Sequence, residues 1–480
     1  MAKKTINKEL TGAQDLYNFL FEACNIIRGP VSQDNFKDYI TPLLYYKRIS
    51  DVYDEETEEA LISSGGDKEY ASLPEQHRFV IPDGCHWQEV RERTENLGAA
   101  IVGAMRQIEI ANPDTLYGVL SMFSSQKWTN KAILNDSKIR DLIEHLSKRK
   151  LGNKDYPADL MGDAYEILLK KFADDSKAQA GEFYTPRSVV RLLVHILDPQ
   201  PGETVYDPAC GSGGMLIEAI RYMHDDSLCC GSIFGQEKNV VNAAIAKMNL
   251  FLHGASDFNV MQGDTLRDPK ILQGGNIAKF DCVIANPPFS LENWGATEWS
   301  SDKYKRNIYG TPSDSCGDYA WIQHMICSMS SGKGRMAVVM PQGILFRGNQ
   351  EAEIRKQLVE SDLIEAVVTL GDKLFYGTGL SPCFLIIRRM KQAHHSGRIL
   401  MIDGSKILTQ KRAQNILEEN DIDRLYSLYQ NYSDEEDYSR IVTLQEIRDK
   451  EYNLSPNRYV VYHKEEIRPY AEVLAEFKQA

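Results

Sequence analysis

Residues 283–290 read VIANPPFS. An apolar run, Val283-Ile284-Ala285, stops at an amide, Asn286, and Pro287, Pro288 and the aromatic Phe289 follow at once. These residue types in this order suit one chemistry. The Asn286 side-chain carbonyl is a hydrogen-bond acceptor. A Pro-Pro segment carries no N–H, so a backbone carbonyl there is left to point into a cleft. Two acceptors hold both N–H donors of an exocyclic amine, localise the nitrogen lone pair and make that nitrogen a better nucleophile. Phe289 offers a face on which a base can stack. The same letters also describe a strand ending in a Pro-Pro turn with a packed ring, so the reading depends on a ligand pocket beside it.

Residues 204–214, TVYDPACGSGG, supply a candidate for that pocket. A strand reaches Asp207, a glycine-rich turn follows, and MLIEAIRYM opens a helix. Glycines let the backbone approach a ligand closely, and ligands of open α/β sheets sit at the carboxyl ends of strands. The spacing is Gly211-x-Gly213-Gly214 with Leu216 in the sixth position, which fails the dinucleotide fingerprint, and no Gly-Lys-Ser/Thr phosphate loop occurs anywhere. An acidic strand end before a glycine turn suits a ligand with hydroxyls and a positive charge. The next strand, SIFGQE, ends at Glu237, where a carboxylate can accept both hydroxyls of a ribose. FNVMQGD ends at Asp264, in reach of an adenine ring. Each acid alone is also a solvated strand end. Three on successive strand tips make a shared nucleoside pocket, with Asn286 at the tip of a fourth strand beside it.

The elements that must carry these residues follow from periodicity. Residues 11–28 place Leu16, Phe19, Leu20, Ala23, Ile26 and Ile27 on one helical stripe, with Thr11 and Gln14 as a capping box and Gly29-Pro30 as a stop. A second helix presents Phe36, Tyr39, Ile40, Leu43 and Leu44, and Pro42 is expected to kink it. SSGGDKEYASLPEQ (63–76) reads as a loop. From about residue 155 short apolar runs alternate with helical segments: TVYDPA, SIFGQE, FNVMQGD, FDCVIANPP, GRMAVVMP, LIEAVVTL and PCFLIIRR. That rhythm predicts βαβ units and a mostly parallel sheet covered on both faces. The expected organisation is an α/β protein: a helical domain over 1–150, a catalytic α/β domain over 151–405, and a charged, helical tail over 406–480 that ends in EVLAEFKQA and makes a subunit contact.

The whole chain sets bounds on function. Its 480 residues have room for two or three cores. The formal charge of -13 argues against a lone polyanion binder, since nucleic-acid backbones are held mostly by Lys and Arg. No apolar leader opens the chain and no run approaches about 18 apolar residues, so a cytoplasmic protein without a membrane anchor is expected. Nine cysteines include no C-x-x-C, so neither a disulfide framework nor a metal site is expected, and Cys229-Cys230 read as two packed thiols at a strand start.

DPACGSGG followed by NPPF resembles the amino-group methyltransferases that use S-adenosylmethionine. GEFYTPRSVVRLLV (181–194), NFKDYITPLLYYKRISDVYDE (35–55) and YNLSPNRYV (452–460) extend the resemblance over nearly the whole chain, to the methyltransferase subunit of type I restriction–modification systems. The resemblance implies a Rossmann-like methyltransferase sheet. It also implies that Glu182, Phe183, Tyr184, Thr185, Pro186 and Arg187 line the cofactor, and that Ser212, Gly213 and Gly214 meet its amino-acid part. By the same likeness Glu237 holds its ribose, and Asn286, Pro287, Pro288 and Phe289 form the catalytic motif. Positions 182–184 read Glu-Phe-Tyr where the family often has Gln-Tyr-Phe, which keeps the aromatic pair and changes the polar contact.

The expected reaction moves a methyl group from the sulfonium of S-adenosylmethionine to adenine N6 in double-stranded DNA. The base must first leave the stack, at about a few kcal/mol, and stacking on Phe289 returns roughly 1–3 kcal/mol. No strong base is needed before attack, because the proton leaves a nitrogen that has become cationic. Residues 290–317 are long for a bare connection and are expected to form a mobile, substrate-facing element. Partners implied by the resemblance are a specificity subunit, with two copies of this chain per complex, and a restriction subunit. Alternatives are a methylase of rRNA or of a protein glutamine side chain, and an inactive scaffold of a modification complex.

Overall fold

The computed structural model describes residues 2–116, 118–120, 125–175, 185–223, 231–255, 257–375, 381–411 and 414–463. Glu182, Phe183, Tyr184, Cys229, Cys230 and the final EVLAEFKQA lie outside these. The described chain forms two compact units. One comprises the described residues within 2–190 and 198–288, and the other those within 191–197, 289–375 and 381–463.

The first unit opens with the helix Ala2–Ile27, whose Leu16, Phe19, Leu20, Ala23 and Ile27 are buried while Ile26 is half-buried. It starts nine residues before the expected Thr11 cap, since nothing between Ala2 and Leu10 breaks a helix. Phe36, just before the helix Lys37–Ser63, and Tyr39, Ile40, Leu43 and Leu44 on it are buried, and the helix continues through Pro42. Pro42 stands early in the helix and withdraws one N–H there without ending it. Within the expected loop 63–76, Asp67 caps the short helix Lys68–Ala71 by accepting from the N–H groups of Glu69 and Tyr70. Helices Leu97–Ala111, Asp136–Leu146 and Ala158–Asp175 complete the helical block, the last packing along Ala2–Ile27.

Strands β1 (Val205–Asp207), β2 (Ile233–Glu237), β3 (Phe258–Gln262) and β6 (Cys282–Ala285) run parallel in the order β6-β1-β2-β3, with β4 (Leu272–Gln273) and β5 (Asn276–Ile277) as a small separate hairpin. The helix Gly214–Met223 follows β1 and Val240–Leu252 follows β2. Met248, Phe251 and Leu252 of the latter enter the helical core, where Tyr45 and Phe79 meet the Phe251 ring edge-on at 5.2 and 5.0 Å. The helical block and the first half of the α/β region therefore share one core.

The second unit holds β7 (Arg335–Pro341), β8 (Ile364–Leu370), β9 (Pro382–Arg388), β10 (Arg398–Gly404) and β11 (Ser439–Thr443), in the order β7-β9-β8-β10-β11. Only β8 and β10 pair in parallel; β9 runs against both neighbours and β11 against β10. All seven strands expected from the sequence form, and β10 and β11 join them. The tail is thus helical over Glu419–Asn431 but also adds an edge strand.

Candidate active site

Parallel register brings the strand ends of the first unit to one edge. Asp207 closes β1 opposite Gly235, and Glu237 closes β2 opposite Gln262. β3 stops at Gln262, so Asp264 stands in the turn beyond it rather than on the strand. β6 pairs with β1 through Val205–Cys282 and Tyr206–Val283, which sets Asn286 just past the β6 tip.

The glycine turn is built around the Glu237 carboxylate. Its Oε2 accepts from the Gly211 N–H at 3.0 Å and its Oε1 from the Asn239 N–H at 2.7 Å. Gly213 sits at φ +85°, in the left-handed region open to glycine, and its N–H donates to the Cys210 carbonyl at 2.8 Å. A Cβ on Gly214 would meet nothing within 4 Å, so the helix Gly214–Met223 begins at an exposed position. Asn249 Nδ2 donates to the Ser212 carbonyl at 2.7 Å and fixes the turn from the neighbouring helix. Asp207 is 2% exposed, and its Oδ1 accepts from the Ala209 N–H at 2.9 Å. Burial pushes its carboxyl up to about 8; the Ala209 hydrogen bond opposes that rise and the Glu237 charge adds to it. Near neutral pH it therefore keeps its proton. Asp264 accepts from the Arg267 N–H at 3.3 Å and pairs with Lys238 at 2.9 Å.

Asn286 Nδ2 donates to Thr185 Oγ1 at 2.8 Å, whereas Asn286 Oδ1 is buried and has no hydrogen-bond partner among the described residues. An orphan buried acceptor costs about 1–3 kcal/mol, so a donor is the missing complement. Pro287 is buried and Pro288 exposed. Phe289 opens the second unit, half-buried, its ring tilted 53° to Phe375 with centroids 6.5 Å apart. Thr185 and Pro186 are half-buried, and exposed Arg187 reaches Asp163 at 3.4 Å.

Residues 156–467 match the family model of the N-6 DNA methylases, and residues 16–146 that of the HsdM N-terminal domain. The chain belongs to the N-6 DNA methylase family. The methylase is 35% identical over 460 residues to the type I restriction enzyme MjaVII methylase subunit of Methanocaldococcus jannaschii, covering 91% of this chain and 77% of that one. It is 31% identical over 360 residues to the HindI methylase subunit of Haemophilus influenzae, covering 73% and 76%. The structure of the type I restriction–modification methyltransferase subunit from Streptococcus thermophilus superposes with a TM-score of 0.78 at 26% identity, over 94% of this chain and all of that one. The methylase is a type I restriction–modification methyltransferase subunit, and its cofactor is S-adenosylmethionine.

The strand tips fit that cofactor. The Glu237 carboxylate is held by the Gly211 and Asn239 N–H groups beside the glycine turn, Gly214 is open at its Cβ, and among the described residues Asn286 Oδ1 has no partner, an arrangement that leaves acceptors and room for a polar ligand. Residues 290–317 differ from expectation, because they fold on themselves. Trp294 Nε1 donates to the Ser313 carbonyl at 2.8 Å, Trp294 meets Trp299 edge-on at 5.5 Å, and Arg306, 1% exposed, lies 4.4 Å over the Trp299 ring. Both Asp302 oxygens accept from the Arg306 guanidinium, at 2.8 and 3.0 Å. Length alone suggested mobility; the stretch carries its own small core.

Two supporting residues escaped the sequence reading. Asn249 left a trace, an amide on an otherwise apolar helix face. Asp318 left none: it is fully buried, and its Oδ1 accepts at 2.7 Å from the N–H of Ser290, a non-glycine residue at φ +50° directly after the motif. Cys316, Asp318 and Glu351 lie within 4.8 Å of one another, but the Arg347 guanidinium pairs with both acids and takes the place of a cation. Among the described residues no helix is long and apolar enough to cross a membrane.

Proposed function

We propose that the chain methylates N6 of an adenine extruded from double-stranded DNA, within a type I complex that acts in the cytoplasm. The observation that carries this reading is the buried Oδ1 of Asn286 just past the tip of β6, which has no partner among the described residues and stands directly ahead of two residues that lack N–H groups. S-adenosylmethionine supplies the methyl group on a sulfonium. Glu237 binds the ribose hydroxyls while its own oxygens stay aligned by Gly211 and Asn239. Asn286 Oδ1 and the Pro287 carbonyl accept the two amine hydrogens and hold the nitrogen lone pair toward the methyl group. Phe289 stacks on the extruded base, and alignment with hydrogen bonding provides most of the rate.

Target choice belongs to a specificity subunit. With 55 Lys and Arg against 68 Asp and Glu, the chain's overall field repels a duplex. Two copies of the chain per specificity subunit place one methylating site on each DNA strand, and a restriction subunit completes the assembly. The test is methyl transfer to the host's unmodified DNA by the purified chain, with and without its specificity subunit, with the product nucleoside identified. N6-methyladenine formed only with the partner is expected. Methylated RNA or glutamine as the product would overturn the reaction, and sequence-specific transfer by the chain alone would overturn the subunit assignment.

A further inference from the structure

We propose that Thr185 is a positioning residue that holds the Asn286 carboxamide in place by its nitrogen end, leaving the oxygen for the target amine. This rests on the reading of Asn286 as the group that holds that amine.

A carboxamide is nearly symmetric in shape, and half a turn about its last torsion exchanges an acceptor for two donors. Only one orientation works here. With the oxygen outward the side chain accepts an amine N–H; with the nitrogen outward two donors oppose two donors. The oxygen end has no anchor in the motif itself, because neither Pro287 nor Pro288 has an N–H to hold it. No described residue holds it either. The side chain is therefore anchored at its other end, where Thr185 Oγ1 accepts from Nδ2 at 2.8 Å.

Thr185 is well placed to hold the amide because its own position is stiff. It precedes Pro186, which restricts Thr185 to extended backbone. The Pro186 carbonyl in turn accepts from the N–H groups of Val189 and Val190 at 2.9 and 3.0 Å, at the start of the helix Arg187–Leu197. The hydroxyl is thus carried on a fixed joint 101 residues away in sequence from the amide it holds. A segment expected only to line the cofactor also sets the catalytic amide.

The test compares Thr185→Val, which keeps the shape and removes the acceptor, with Thr185→Ser, which keeps the hydroxyl. Each is assayed for methyl transfer to unmodified host DNA in the complex with its specificity subunit, and for S-adenosylmethionine affinity by calorimetry. In the Val variant the productive orientation buries an amide nitrogen against a methyl group, so kcat at saturating cofactor falls about tenfold to a hundredfold. The loss of kcat persists at saturating cofactor whatever the change in cofactor affinity, and the Ser variant recovers most of the rate. Thr185→Val added to Asn286→Ala lowers the rate no further than Asn286→Ala alone. Thr185→Ala replaces the Val variant if that one melts early. Wild-type kcat in the variant without the hydroxyl, a defect that vanishes at saturating cofactor, or a Ser variant as poor as Val would each overturn the proposal. Near-normal turnover in Asn286→Ala would bring down the underlying reading as well, which separates the two failures.

Discussion

Glu237→Gln preserves the side-chain shape and exchanges one oxygen for an NH2 group. Both carboxylate oxygens are engaged by the backbone, Oε2 by Gly211 at 3.0 Å and Oε1 by Asn239 at 2.7 Å. Glutamine has one acceptor, so its amide hydrogens must oppose one of these N–H donors. A hydrogen bond to a charged group is worth about 1.5–3 kcal/mol, which sets the loss to the glycine turn. The ribose hydroxyls lose a charged acceptor in the same step. Together these weaken S-adenosylmethionine binding by roughly tenfold to a hundredfold. The chain stays folded, with a melting midpoint lower by about a few degrees. Calorimetric titration of the purified chain reads the affinity, and scanning calorimetry reads the midpoint. Unchanged affinity would remove Glu237 from the cofactor pocket and, with it, the argument that links the strand tips to one ligand.

Asn286→Ala should abolish methyl transfer while leaving cofactor affinity within about a few fold, since the amide serves the amine and not the sulfonium ligand; kinetics of the assembled complex check this as a loss confined to the transition state. Asp207 makes stability depend on pH. The folded chain keeps its proton up to about pH 8, whereas the ordinary value is 3.8. Across that window the unfolded chain has released a proton that the folded chain retains. Stability of the wild type relative to Asp207→Asn therefore falls as pH rises from about 4 to 8, by at most about 1.4 kcal/mol per pH unit, and is level outside the window; urea melts at several pH values that give a constant difference would refute it. Gly213→Ala should destabilise by about 1–2 kcal/mol through its left-handed backbone, whereas Gly214→Ala, with open space at its Cβ, should melt like the wild type. Thermal denaturation of the two variants side by side decides this.

Much of this architecture was legible because its signals are local. An apolar run bounded by turn residues reports a strand whether or not its neighbour is known, so β1, β2, β3 and β6 to β9 could be read. β11 could not, because SRIVT is short, mixed in polarity and stabilised by pairing along β10. The acids at the strand tips were legible from where each run stops, although Asp264 proved to stand past its strand. Hydrogen bonds across long separations were not: Thr185 with Asn286, Ser290 with Asp318 and Asn249 with Ser212 exist only once the chain has folded. Residues 290–317 misled through their length. Arg306 and Asp302 form a buried pair in the structure, beside the two tryptophans that give the stretch a core.

That enclosed pair makes the stretch after the catalytic turn an all-or-none body. Arg306 and Asp302 have 2% and 7% of their side-chain surface exposed, so neither can part from the other without leaving a charge in a dry interior. Trp299 loses the cation above its ring in the same event. Residues 294–306, which carry these contacts, are therefore expected to open together and not to fray from one end. In amide hydrogen exchange such a stretch behaves as a single unit, its protected N–H groups sharing one opening free energy instead of grading from tip to base as in an ordinary surface loop.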